Sequence, residues 1–392
     1  MKSTILILIN ISLFVFNLYS QNNIDNILHE IERNNTTLSA LRKSADAEKI
    51  GNKTGTYLQN PELAFNYLWG NPSLIGNRTD ISIKQTFDFP TAYSYRNQIS
   101  NIKNEQVELE YQKQRKSLLF ESRLICYDLV YINALKSELS TRLLHAQSIA
   151  NSYKAKFDIG ESNIIEYNKS GLNLLNISKE MESLTIRRND LLGELARLNG
   201  GIFIDFSDSL IQVSAIPDDF EQWYSVAEQS NPLLNWLKME IGITRKQVSL
   251  NRAMSLPKLQ TGFMSEKVIG QHFQGVTLGL NIPLWENKNM VKYAKANAAA
   301  FENIATDNKL QVYNSLKILH TKAISLQNNV TDYRSKLQSF NNSELLKKAL
   351  DKGEISLIDY IIELSIYYES VNNLIQLERE MNKTLAELNQ YL

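Results

Sequence analysis

The sequence predicts a mainly α chain with a minority of membrane-type β-strands, built as two tandem structural repeats. Three observations predict it. Residues 91–159 and 284–352 are two runs of 69 residues without Gly or Pro, each starting just after a proline (Pro90, Pro283) and ending at a glycine 70 positions later (Gly160, Gly353). Other marks recur about 195 residues apart: Asn35-Thr36-Thr37-Leu38 with Asn231-Pro232-Leu233-Leu234, and Asp158-Ile159-Gly160-Glu161 with Asp351-Lys352-Gly353-Glu354. Each long run is preceded by short segments that alternate apolar and polar residues. A period this long marks whole structural halves rather than solenoid units.

Composition removes other classes. The 392 residues carry 42 Lys plus Arg against 42 Asp plus Glu and are 43% hydrophobic. A neutral, apolar-rich chain is neither disordered nor a basic nucleic-acid binder. One cysteine, Cys126, and four scattered histidines, His29, His145, His272 and His320, offer no disulfide framework and no metal-ligand spacing. Cys126 reads as a buried small hydrophobe. No nucleophile elbow or phosphate-binding glycine loop occurs, so neither an enzyme nor a cofactor is expected.

Taken in order, residues 1–20 read as a cleaved secretory signal: Lys2, an apolar run from Ile5 to Phe16, then Ser20 before Gln21. No cysteine follows, so no lipid anchor is indicated. Repeat one is expected over 21–205: a helix, a strand hairpin at about 61–89, a long helix over 91–157, a tip at 158–162 and a return helix over 163–199. Residues 206–217 form a connector, with Gly200-Gly201 as a flexible link before it. Repeat two spans 218–392: helices, a strand hairpin at about 257–285, a long helix over 287–350, a tip at 351–355 and a return helix over 356–392.

The long helices carry narrow apolar stripes at the 3.5-residue period of supercoiled pairs. The first runs Ile125, Leu129, Ile132, Leu139, Leu143, Ala146, Ala150, Tyr153, Phe157, missed once at Lys136; the second runs from Val312 through Ala323 and Val330 to Phe340. At 1.5 Å per residue such a helix reaches roughly 100 Å. The return stripes are Leu357, Ile361, Leu364, Tyr368, Val371, Met381, Leu385, Leu388 in repeat two and Ile165, Leu172, Leu175, Leu191, Leu195, Leu198 in repeat one. Gly160 and Gly353 sit at the hairpin tips, where a left-handed backbone costs glycine little.

In the strands Leu63, Phe65, Tyr67 and Trp69 alternate with Glu62, Ala64, Asn66 and Leu68, and Ile81, Ile83, Gln85 and Phe87 alternate with Asp80, Ser82, Lys84 and Thr86. Leu259, Thr261, Phe263 and then Val276, Leu278, Leu280, Ile282 repeat the pattern. Such alternation fits barrel strands and equally a half-buried hairpin in a soluble protein. Because a membrane barrel needs at least about eight strands, four per chain require an oligomer to close one.

These residues resemble the TolC-like outer-membrane efflux family. The resemblance rests on Asn60-Pro61-Glu62-Leu63, Gln85-Thr86-Phe87-Asp88-Phe89-Pro90, Leu256-Pro257-Lys258-Leu259, Leu278-Gly279-Leu280-Asn281-Ile282-Pro283-Leu284-Trp285 and the two tip glycines, in that order and spacing. It implies a homotrimer whose strands form a 12-stranded β-barrel in outer-membrane lipid and whose helical hairpins form a periplasmic α-barrel. It also implies a periplasmic adaptor (membrane fusion) protein docked on the tips and an inner-membrane transporter behind it. The first two motifs look most like the branch paired with heavy-metal resistance-nodulation-division pumps. The expected function is therefore the outer-membrane channel of a tripartite efflux pump for small solutes or metal cations. A soluble periplasmic coiled-coil adaptor or scaffold, and an export duct for proteins, stay open as alternatives.

The candidate functional residues follow. Asp158, Gly160, Glu161, Asp351, Gly353 and Glu354 mark the tips, where carboxylates raise local cation concentration and a docking adaptor would relieve their repulsion. An ordinary solvated helix turn reads the same way. Tyr153, Ile164, Ile165, Leu357 and Ile358 flank those turns as adaptor contacts or plain packing. Tyr67, Trp69, Phe87, Phe89, Tyr93 and Trp285 are candidate membrane-interface aromatics. No dedicated metal site is expected; a metal cargo would pass hydrated.

Overall fold

The computed structural model describes residues 19–211 and 215–391. The expected signal segment lies almost wholly outside them. Two compact units emerge from the internal contacts. The first comprises the described residues up to Ser39, Gln114–Ala227 and those from Tyr313 onward; the second comprises Ala40–Lys113 and Glu228–Val312. Both units draw on both sequence repeats.

The helices begin with α1 (Tyr19–Asn34) and α2 (Thr36–Gly51). Asn35 separates them: its Oδ1 accepts from Leu38 N–H at 2.8 Å and its side-chain amide donates to the Leu198 carbonyl at 2.7 Å. In repeat two α5 (Phe220–Ser230) and α6 (Pro232–Ala253) meet at Asn231, whose Oδ1 caps the N–H groups of Leu233 and Leu234. The sequence match at these two asparagines is thus a repeated N-cap, where a short side chain satisfies backbone donors that a helix start leaves free.

Helix α3 (Pro90–Asp158) is unbroken for 69 residues, and α4 (Ile164–Leu198) returns through Gly171 and Gly193 without interruption. In the first unit Ile125 and Leu129 of α3 pack with Ile27 and Ile31 of α1, Leu195 of α4 and Phe206, all buried. Lys136, the miss in the stripe, donates to the Thr185 hydroxyl across the hairpin at 2.9 Å. Cys126 is buried in the same core, and burial pushes its thiol pKa up to about 12.

The repeat-one return stripe needs correction. Ile165, Leu172 and Leu175 point to solvent, whereas Ser170, Leu192, Leu195 and Leu198 are buried. The inward register is set near the tip by Tyr167, whose ring stacks on Phe157 at 5.3 Å, and by Ser170, whose hydroxyl turns back onto the Tyr167 carbonyl. A small residue lets two helices approach, so the seam follows Ser170 rather than the larger leucines. Gly200-Gly201 is no flexible link either. It closes α4, with Gly201 N–H on the Ala196 carbonyl at 2.8 Å and both glycines at positive φ. The connector beyond is pinned, since Phe206 is fully buried and its carbonyl accepts from Arg188.

The second long helix is also shorter than expected. Helix α7 spans Met290–Ser339 and ends in a break at 340–342, followed by α8 (Ser343–Asp351) and the return helix α9 (Leu357–Leu388). Neither Gly nor Pro causes the break. Asn341 Oδ1 takes both the Ser343 N–H and hydroxyl, and such local side-chain bonds compete with helical ones. Phe340, the last member of the stripe, is exposed there. The rest of the seam holds: Ala323, Leu326 and Val330 of α7 pack with Met381 and Leu385 of α9.

In the second unit β1 (Glu62–Leu68), β2 (Arg78–Phe87), β3 (Lys258–Val268) and β4 (Gln271–Asn281) form one antiparallel sheet in sequence order, the β2–β3 pairing joining the two repeats. The register aligns Leu63, Ile83, Phe263 and Val276 in one row. The apolar residues read from the alternation within the strands share this face, which turns polar toward the turn end at Thr79, Ser265, Lys267, His272 and Gln274.

Candidate functional site

The two hairpin tips are built alike. Gly160 (φ 79°) donates to the Phe157 carbonyl at 3.0 Å and Glu161 N–H to Lys156 at 2.8 Å; Gly353 (φ 73°) donates to Leu350 at 3.0 Å and Glu354 N–H to Ala349 at 2.9 Å. This is the Schellman pair of bonds, which satisfies the last helical carbonyls through a left-handed residue. Each return helix then starts on a cap, Asn163 for α4 and Ser356 for α9, the latter in a capping box with Asp359. The turns therefore hold Asp158, Glu161, Asp351 and Glu354 in matching positions, all exposed. Lys154, Lys156, Lys348 and Lys352 flank the same turns, also exposed, so the tips carry mixed charge rather than acid alone. Of the flanking residues, Tyr153 and Leu357 are buried in helix packing, whereas Ile164, Ile165 and Ile358 are exposed.

Beyond the tips α3 and α9 are tied by Arg142, a buried side chain that the sequence reading missed. Its Nη2 donates to Asn372 Oδ1 at 2.9 Å and to the Tyr368 carbonyl at 3.3 Å, and the guanidinium lies over the Tyr368 ring at 4.3 Å. Its Nε has no partner among the described residues, and burial pulls its pKa below the ordinary value. A single Arg inside a long polar helix gives no sequence signal that distinguishes it from a surface residue.

The sheet has its polarity inverted relative to a soluble protein. On the apolar side Leu63 is 73%, Val276 83% and Leu278 78% exposed; on the opposite side Asp80 and Ser82 are each only 8% exposed. The polar side is also the crowded one. A Cβ on Gly262 would lie 2.5 Å from the Ile83 carbonyl oxygen and 2.8 Å from the Thr277 hydroxyl. An apolar face this extensive is a surface that meets lipid or a partner. Both outer strands, β1 and β4, leave an unpaired edge within the chain, and open edges are templates for further pairing.

The candidate interface aromatics fall around this sheet. Trp69 and Trp285 are about four-fifths exposed, Trp69 just beyond β1 at the turn end of the sheet and Trp285 beyond β4 at the opposite end, and Tyr67 meets Trp69 edge-on at 5.7 Å. Phe87, Phe89 and Tyr93 gather at the end of the sheet away from Trp69, where with Leu58, Leu259 and Leu280 they line an apolar cleft of about 680 Å³. Asp88, buried beneath it, pairs with Arg96 at 2.6 Å, and its backbone N–H donates to the Tyr93 hydroxyl. Among the described residues no cluster of His, Cys, Asp or Glu could hold a metal ion, and no helix is long and apolar enough to cross a membrane.

A sheet with its apolar side outward, carried with helical hairpins of this length, defines the fold of the TolC-like outer-membrane channels. Solved structures bear this out. The CmeC outer membrane channel of Campylobacter jejuni superposes with a TM-score of 0.75 at 14% identity, covering 94% of this chain and 85% of that one. CusC, whose structures address folding and transmembrane channel formation, gives 0.77 at 13% identity over 94% and 92% of the two chains. The outer membrane protein VceC of Vibrio cholerae gives 0.75 at 10% identity over 95% of each. No protein-family model and no curated protein matches the sequence. At these identities the likeness is one of fold.

Proposed function

We propose that the chain is the outer-membrane duct of a tripartite efflux pump, exporting small solutes or metal cations from the periplasm. Three copies pair their free strand edges into a 12-stranded barrel, and their helical hairpins form the periplasmic tube. The tip turns around Asp158, Gly160, Glu161 and Asp351, Gly353, Glu354 dock a periplasmic adaptor, which links the duct to an inner-membrane transporter of the resistance-nodulation-division type. Trp69 and Tyr67 lie at one lipid interface, and Trp285, Phe87, Phe89 and Tyr93 at the other.

The observation that carries this reading is the inverted sheet: four strands with an exposed apolar face, a crowded polar face and two open edges. A soluble scaffold would leave that face in water. The metal branch rests on sequence motifs alone.

The test is a deletion strain complemented by the wild-type gene, grown on divalent metals, copper, silver, detergents and antibiotics, with the membrane fraction chemically cross-linked in parallel. The expected result is a trimer that needs detergent for extraction, with sensitivity to at least one class of toxicant. Sensitivity to metals alone supports the metal branch; sensitivity to lipophilic drugs alone removes it. A chain that leaves the membrane fraction without detergent defeats the duct.

A further inference from the structure

On the polar face of the sheet, Asp80 of β2 and Glu266 of β3 stand directly opposite each other in register. Like charges in that relation repel and destabilise a strand pair. Arg78 resolves the conflict: its Nε donates to Asp80 Oδ1 at 2.8 Å and its Nη2 lies 3.2 Å from Glu266 Oε2, so one guanidinium fork holds both carboxylates. The trio sits at the end of the sheet that carries the β1–β2 connection and the β3–β4 turn, away from the strand ends that continue toward the long helices. Lys267, next to Glu266, belongs to the opposite, apolar face by strand alternation. The remaining charged strand residues of the polar face lie at the other end. There Glu62 stands opposite Lys84 in register, and Lys258 pairs with Glu286. Only the turn end therefore keeps uncompensated charge, two carboxylates against one cation.

We infer that Arg78, Asp80 and Glu266 form the charge filter of the duct at its distal mouth and make it select for cations, with Arg78 setting how strongly. The inference rests on the duct reading, in which the polar face lines the lumen. Three copies bring three such trios to one ring, and rings of like charge in a pore enrich the opposite ion. In membrane barrels, lumen side chains tune selectivity whereas lipid-facing ones tune stability. The role of Arg78 is to hold the acids in place while cancelling part of their field.

The experiment is planar-bilayer recording on the full-length protein under a KCl gradient, read as the ratio of potassium to chloride permeability from the reversal potential. Wild type is expected to favour potassium. Arg78→Gln removes the neutralising cation and raises the ratio, Glu266→Gln lowers it, and Arg78→Lys, which keeps the charge without the fork, stays near wild type. Cross-linked trimer in the membrane fraction confirms assembly of each variant. Conducting Arg78→Gln and Glu266→Gln channels with the wild-type ratio overturn the filter and leave the duct intact. Assembled wild-type protein that carries no current overturns both. If Arg78→Gln fails to assemble, Glu266→Gln decides alone, because it removes the repulsion rather than the clamp.

Discussion

Glu108 shows how one side chain ties together segments distant in sequence. Lys49 and Arg42 of α2 and Gln112 of α3 converge on its carboxylate, at 2.5, 2.9 and 3.1 Å, and these bonds, Lys49 first, hold its pKa down to about 2. A depressed carboxylate pKa stabilises the fold above the unfolded value of 4.5 and loses that contribution as pH falls toward 2. The side chain is about a third exposed, so solvent screening limits the network to about 1 kcal/mol or less. Glu108→Gln should therefore lower thermal stability at pH 7 by a few degrees at most, and its gap from wild type should close between pH 4.5 and 2 in melting curves. Arg142 behaves oppositely. It is buried against neutral acceptors with one nitrogen unpartnered, and replacing a buried charge by an apolar side chain of similar length is often neutral or stabilising. Arg142→Met is expected to melt within about 1 kcal/mol of wild type, and Arg142→Ala to lose about 2 kcal/mol or more by leaving a cavity; denaturant titration of the pair measures both.

At the scale of elements, the tips isolate a pure backbone effect. A Cβ at Gly160 or Gly353 meets nothing within 4 Å, so alanine there adds only the strain of a left-handed residue, about 1 kcal/mol. Asparagine, which tolerates that conformation, should cost visibly less, and denaturant unfolding of Gly160→Ala beside Gly160→Asn gives the comparison. The elements also mark what could be read in advance. The alternation in the four strands was legible because a period of two has a single phase, and the register put every named apolar residue on one face. The tips were legible because chain reversal needs glycine, whereas Asn35 and Asn231 were legible only as a repeated mark and their capping role is a finding of the structure. The return stripe through Ile165, Leu172 and Leu175 misled because α4 has apolar residues on two sides, so the stripe alone did not choose its seam. The end of α7 was hidden because Asn341 breaks the helix through its own side chain, which no Gly or Pro announces. The filter trio escaped for a related reason: Asp80 was read as part of an alternation, and the carboxylate that faces it, Glu266, lies in another strand.

For the molecule as a whole, the competing outcomes are a sheet in lipid and a sheet in water, and one substitution separates them. Val276 sits mid-strand in the row with Leu63, Ile83 and Phe263, on the exposed apolar face. If that face meets the membrane, Val276→Arg places a charge near the bilayer centre at a cost of about 2–4 kcal/mol. Thr86→Arg, on the polar face opposite Gln260, places the same charge in a lumen and costs far less. If the face meets water instead, the ranking reverses, since an arginine on an open surface is harmless and Thr86 lies on the crowded side. The duct thus predicts that Val276→Arg sharply reduces protein recovered from the outer-membrane fraction and lowers its urea midpoint in micelles, with Thr86→Arg near wild type. Equal recovery of the two variants, or loss confined to Thr86→Arg, would return the sheet to water and remove the barrel with it.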